Sequence, residues 1–277
     1  MSRPESEKAA DAYVFAREEV RERLEYLAEH SDPATHRRVQ RLGPCEGWHC
    51  FELGFGSGSI AVWLSQQVGP RGRVLAVDLD PRFLAGKAVP NLEVRQQDIT
   101  REPQPEGTFD FAHVRLVLMH LPQREQVLEQ LAASLKPGGW LLVEEHESFP
   151  ALLEKGVPPA YPRLWEAMFE AGHRRGMDGA WARKVPGLLR KLGLEQVGTD
   201  VDVPFFQGGS PAAEFWRLTA EQLQPQMEAH GLLTRQALVE ATTLMRDPSD
   251  WLFGPAMVAT WGRRPANPRG LDEPGLE

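Results

Sequence analysis

The stretch ELGFGSGS at residues 52–59 is the feature that most constrains what this chain can fold into. A short apolar run at residues 48–51 precedes it, and Ile60, Ala61, Val62, Trp63 and Leu64 follow, so the pattern reads strand, glycine turn, helix. Gly54, Gly56 and Gly58 let the backbone bend tightly and approach a ligand with no Cβ in the way. The exposed N–H groups of the following helix face the same spot. This is a ligand-binding turn, with Glu52 at its entry. It does not fit the dinucleotide fingerprint, which needs a further glycine three positions after Gly56, where the chain has Ser59.

Downstream, RVLAVD at residues 73–78 is a second strand ending in Asp78, a carboxylate able to accept both hydroxyls of a ribose, and Leu79 follows it. A third strand, NLEVRQQDI at residues 91–99, carries Asp98 just past its end, with Ile99 beside it. Three strand ends then converge on one crevice, as in a doubly wound parallel sheet. Helices at residues 59–68 and 123–135 alternate with a fourth strand at 109–114 and a fifth at 140–144, and that alternation also points to a parallel sheet. The fifth strand delivers Glu144, Glu145, His146 and Glu147 to the crevice, where a general base sits in an open α/β sheet. His146 is the preferred base and Glu145 the second choice, with a solvated polar turn as the competing reading. His120, a lone histidine beside an apolar run, reads first as a packed structural residue and second as catalytic.

Glu52-x-Gly54-x-Gly56-x-Gly58, Asp78, Asp98-Ile99, the run FDFAHV at 109–114 and the run LKPGGWLLV at 135–143 resemble the successive motifs of class I S-adenosylmethionine-dependent methyltransferases, in their order. The resemblance spans roughly residues 45–145. It implies an α/β, Rossmann-like, doubly wound sheet of seven mostly parallel strands with helices on both faces, and S-adenosylmethionine at the carboxyl ends of the first strands. In that family Glu52 fixes the turn or reaches the methionine ammonium through water, and the three glycines admit the methionyl and ribose parts. Asp78 takes the ribose hydroxyls, Leu79 packs on adenine, and Asp98 with the Ile99 backbone meets the adenine edge. Arg115 and Leu116 line the sulfonium end, and Tyr13 reaches in from a lid, with a first helix packed on the domain flank as the competing reading.

The expected organisation is an N-terminal helical lid at residues 1–43, a methyltransferase core at 44–262 with helical inserts at about 147–185 and 204–250, and a disordered tail at 263–277. The first helix covers residues 5–30 and ends at Asp32-Pro33, because the residue before proline avoids the helical region. A second, short helix spans 34–42. Tyr161, Leu164, Trp165, Met168, Phe169 and Gly172 fall on one face of a helix in the first insert, above the crevice.

A formal net charge of −8 argues against a nucleic-acid partner, and Arg37-Arg38 and His173-Arg174-Arg175 read as scattered solvated cations. Cys45 and Cys50 suit neither a zinc site nor a redox pair, so no metal is expected. With no long apolar run and no leader, the expected protein is cytoplasmic and free of membrane. Aromatic inserts without a basic groove favour a small, partly apolar methyl acceptor of secondary metabolism, methylated on O, N or C. The alternative is an adenosylmethionine-binding protein that catalyses a cyclisation or rearrangement. A homodimer is compatible with either.

Overall fold

The computed structural model describes residues 20–43, 46–84, 89–148 and 156–266. The strand and helix alternation builds a seven-stranded sheet. Strands β1 (His49–Leu53), β2 (Arg73–Asp78), β3 (Leu92–Gln96), β4 (Phe109–Arg115) and β5 (Leu135–Glu147) lie parallel to their neighbours. A late strand, β9 (Ala256–Arg263), runs antiparallel between β5 and β6 (Glu195–Asp202). The order is β3-β2-β1-β4-β5-β9-β6, so β1 and β4 flank the point where the winding reverses and where ligands bind in such sheets.

Both faces of the central strands are covered, and alternate residues go to different cores. Phe51, Leu53, Ala112, Val114, Leu141 and Val143 pack against α3 (Arg124–Ser134) and α5 (Val185–Lys191). Cys50, Val74, Ala76, Phe111 and Leu142 pack on the other face, with Val39 of α1 (Val20–Leu42) and with Ile60 and Leu64 of α2 (Ser59–Gln67). A third core lies above the strand ends. It joins α4 (Ala160–His173), α6 (Pro211–Ala229) and α7 (Arg235–Leu244), a small ribbon of β7 (Phe205–Gln207) with β8 (Trp251–Phe253), and Leu27 of α1.

The helical stripe expected in the first insert is α4, with Tyr161, Leu164, Trp165 and Met168 buried in that third core. Two expectations need correction. Helix α1 does not end at Asp32-Pro33 but runs through Pro33 to Leu42 as one element. Proline there removes a bond to the Glu29 carbonyl, yet both residues are exposed, so water can satisfy that carbonyl, while Asp32, Thr35 and Arg38 are tied to the sheet. Strand β5 runs Leu135–Glu147 and not 140–144 as expected, and its register on β4 shifts between Phe109 and Phe111, beside the Pro137-Gly138-Gly139 run. The β7–β8 ribbon went unread because three-residue strands carry almost no periodic signal.

Strand β9 reaches Arg263, and the Arg264 guanidinium donates to the Ala133 carbonyl at 2.7 Å, so the sheet extends slightly into the segment read as tail. Among the described residues no helix is long and apolar enough to cross a membrane.

Candidate active site

The glycine turn stands at the carboxyl end of β1, closed against side chains. Gly54 and Gly58 have φ of +71° and +81°, in the left-handed region that favours glycine. A Cβ on Gly54 would lie 2.2 Å from Val117 Cγ2, and one on Gly58 would lie 2.2 Å from Leu84 Cγ. At the end of β2, the Asp78 carboxylate accepts from the Gly56 N–H at 3.2 Å and from the Asp80 N–H at 3.0 Å. Burial raises its pKa to about 6, against the pull of those N–H groups. Asp78 therefore sits beside the turn and holds it to the second strand. Helix α2 begins at Gly58 without a side-chain cap, which leaves its first N–H groups directed at the same place.

Helix α1 roofs this crevice. Leu24 Cδ2 lies 3.4 Å from the Cβ position of Gly56, and the Arg21 guanidinium lies 5.0 Å over the Phe83 ring beyond β2. Leu79 is half-buried, its carbonyl accepting from Gln96 Nε2 at 2.8 Å. Past β3, Asp98 Oδ1 accepts from the Thr100 N–H at 3.0 Å and the Thr100 hydroxyl at 2.7 Å, and Ile99 is buried. Tyr13 lies outside the described residues. The residues present fit an adenosyl ligand: a carboxylate at the second strand end, a backbone cradle that a Cβ would fill, and half-buried side chains between them.

Glu52, expected to fix the glycine turn or to reach the methionine ammonium through water, is buried at the end of β1. It is opposite His113 in the β1–β4 register, and its Oε2 lies 2.7 Å from His113 Nδ1. His113 Nε2 lies 3.0 Å from Glu144 Oε2. Glu144 also accepts from the Thr35 hydroxyl at 2.6 Å and from Arg38 Nη1 at 2.7 Å, and Arg38 reaches on to Asp200 and Asp202. Arg38 is thus a buried anchor, not the solvated cation expected. Burial alone lowers the His113 pKa, but the Glu52 charge and hydrogen bonds to Glu144 and Glu52 raise it to about 9. Burial raises the Glu144 pKa, and the His113 bond and charge outweigh that and hold it at about 2. His113 thus bridges Glu52, whose pKa burial raises against the pull of His113, and Glu144, which Arg38 also holds. Glu52 and Glu144 are 92 residues apart in the chain and His113 lies on a strand between them, so no local pattern announces the cluster. The available signal was three polar side chains inside strands that read as buried on both faces.

Arg115 turns toward α1, donating to Asp32 at 2.8 Å and to the Thr35 hydroxyl at 3.0 Å. Next to it Leu116 has φ +56°, a strained conformation for a leucine and one that recurs at functional sites. The turn Leu118–His120 follows, capped by Glu145, whose Oε1 accepts from the Leu118 N–H at 2.8 Å and the Met119 N–H at 3.3 Å. Burial raises the Glu145 pKa to about 8 despite those bonds. His146 faces α6, its ring 4.9 Å from Trp216. Burial lowers it to about 3, with His30, His120 and Arg115 adding to the effect. His120 is likewise lowered to about 4, by burial and then by Arg23, Arg124 and Arg175. Both imidazoles are neutral at pH 7. His30 and Arg23, in the N-terminal half of α1, were not singled out because their position over the strand ends depends on the helix docking. Among the described residues no group of His, Cys, Asp and Glu is arranged to hold a metal ion.

Residues 51–143 match the family described as a methyltransferase domain. Methyltransferase Str3 of Strobilurus tenacellus is 32% identical over 140 residues, covering 50% of each chain, and Str2 of the same organism is 41% identical over 97 residues, covering 34% of each. A ubiquinone/menaquinone biosynthesis C-methyltransferase, UbiE of Pseudomonas fluorescens, is 29% identical over 156 residues, covering 51% of this chain and 60% of its own. This chain therefore spans at most 60% of the length of these relatives. Among solved structures, the phosphoethanolamine N-methyltransferase 2 of Haemonchus contortus, in complex with phosphomonomethylethanolamine and S-adenosylhomocysteine, superposes with a TM-score of 0.57 at 15% identity, over 84% of this chain and 53% of that one. The [4+2]-cyclase SpnF superposes with a TM-score of 0.50 at 17% identity, over 86% and 82%. At such identities these two show a shared fold alone. Residues 51–143 thus match a methyltransferase domain, and the sheet order and the glycine turn beside Asp78 accord with that match.

Proposed function

We propose that the protein transfers a methyl group from S-adenosylmethionine to an O, N or C nucleophile of a small, partly apolar metabolite. The observation that carries this reading is the strand-end turn in which Asp78 meets the N–H of Gly56 under Leu24. The cofactor brings an already activated methyl group. What the chain contributes is alignment and a dry recess, which alone account for much of such an acceleration.

Asp78 would hold the ribose, Leu79, Asp98 and Ile99 would surround the adenine, and the turn at Gly54, Gly56 and Gly58 would follow the methionyl part. Glu52 acts through His113, by fixing the strand end beneath the turn. His146 is the proposed proton acceptor where the nucleophile carries a proton. Burial holds its ring neutral and also lowers its basicity, so it suits a nucleophile whose proton becomes acidic as it attacks the sulfonium methyl. Glu145, engaged by two N–H groups, shapes the turn that presents His120.

The test is incubation with methyl-labelled S-adenosylmethionine and a panel of phenols, acids, amines and quinols. Label in the acceptor with one equivalent of S-adenosylhomocysteine supports the reading, and a rearranged product with no S-adenosylhomocysteine refutes it in favour of cyclisation. His146→Asn is expected to lower kcat about 10²-fold or more on a protonated acceptor, with KM little changed. An unchanged kcat would remove His146 as base.

A further inference from the structure

Side chains alternate along a strand, so Glu52, His113 and Glu144 continue, two residues on, the sheet face that carries Cys50, Phe111 and Leu142. Helix α1 covers that face and changes character along it. Val39 joins the apolar core there. Thr35 and Arg38 meet the polar part, the hydroxyl donating to Glu144 Oε2 at 2.6 Å and the guanidinium to Glu144 Oε1 at 2.7 Å. Arg38 also reaches Asp200 and Asp202, so one guanidinium joins the helix to β5 and β6, while Asp32 takes Arg115 of β4.

The same helix reaches the glycine turn. Leu24 lies over Gly56, about 16 Å along the helix axis from Thr35. From Arg38 a second route runs through Glu144 and His113 to Glu52, which stands just ahead of Gly54 in the chain. Arg38, Glu144, His113 and Glu52 are each at most 3% exposed. Buried ion pairs are seldom worth more to folding than packed apolar side chains of the same volume, although removing one partner is costly. What this network does supply is a tie between the seat of the helix and the strand end beneath the turn. A ligand that favours one arrangement of the turn then favours the docked helix, and by linkage the docked helix favours the ligand.

We propose that Arg38 and His113 are positioning residues that couple the docking of α1 on the sheet to the binding of an adenosyl ligand at the glycine turn. This coupling rests on the cofactor reading of that turn. The test is amide exchange of the full chain with and without saturating S-adenosylhomocysteine, read at residues 34–42, with calorimetric affinity measured alongside. Those amides lie on the part of α1 that binds the sheet, away from the direct cover by Leu24. In the wild-type chain the ligand should slow their exchange about tenfold or more. Arg38→Met keeps the length and removes the ion pairs. It should lose that protection, keep the protection around Leu24, and bind S-adenosylhomocysteine about tenfold more weakly. His113→Gln should act in the same direction, and Arg38→Lys, which keeps a cation facing Glu144, should retain most of both effects. Thr35→Val removes only the hydroxyl and is the second variant should Arg38→Met fail to fold, with affinity expected to fall about fivefold. Wild-type binding that leaves exchange at residues 34–42 unchanged overturns the coupling and leaves the cofactor reading standing. So does a folded Arg38→Met or Thr35→Val chain with wild-type affinity and protection. A folded wild-type chain that does not bind S-adenosylhomocysteine strikes the cofactor reading, and the coupling falls with it.

Discussion

Gly58 has no room for any side chain, and a single methyl group there tests the turn. An alanine would adopt φ near +81° and place its Cβ 2.2 Å from Leu84. The strain is worth about 1–3 kcal/mol, so Gly58→Ala should shift the urea midpoint down and weaken S-adenosylhomocysteine binding together. Wild-type values for both would mean that neither the φ nor the clash matters. His113 is the residue whose titration should show in the stability. Its folded pKa of about 9 lies above its ordinary value of 6.5, so its contribution is fully present below about pH 6.5 and is lost as pH rises through about 9. Thermal melts from pH 6 to 10 should fall over that window, and His113→Gln should flatten the fall. The glycines and aspartates were legible because strand ends in this fold have a known chemistry. His113, Glu52 and Glu144 were not, because their pairing needs three strands side by side.

At the scale of elements, α1 is the piece that sequence rules divided and the structure keeps whole. Pro33 interrupts its ladder on the exposed face, while Thr35 and Arg38 bind it to the sheet and Leu24 covers the turn. Pro33→Ala should therefore stabilise the protein, by about 1–3 kcal/mol, because a helix-interior proline costs up to about 3. A loss of stability in urea titration would mean that the proline sets a bend the docking requires. Arg38→Ala removes the guanidinium from buried Glu144, leaving it only His113 and Thr35, and should cost about 3–5 kcal/mol, with faster amide exchange through α1. Exchange unchanged in α1 would show that apolar packing holds the helix without the ion pairs. Local rules stopped the helix at Asp32 because they weigh only the backbone around proline. The tertiary ion pairs that favour its continuation connect it to residues more than a hundred positions away.

On the scale of the whole molecule, α1 belongs to two cores. Val39 packs with the sheet and Leu27 with the cap of α4, α6 and α7, so one helix fixes the cap over the strand ends. The glycine turn lies under the N-terminal half of this helix, where Leu24 covers Gly56. The sheet was readable in nearly every strand because alternation, glycine turns and strand-end carboxylates agree with one another. The cap was readable as amphipathic helices but not as a site, since which aromatic meets Arg23 or His146 depends on how α6 crosses α1. The account depends on one claim, that the ends of β1 and β2 bind an adenosyl ligand through Asp78 and the glycine turn. Isothermal titration with S-adenosylhomocysteine tests it most directly. Saturable one-to-one binding by the wild-type chain, weakened about tenfold or more in a folded Asp78→Ala variant, is the expected result. A folded wild-type chain that ignores the compound, or an Asp78→Ala variant that binds it as tightly as wild type, would contradict the claim.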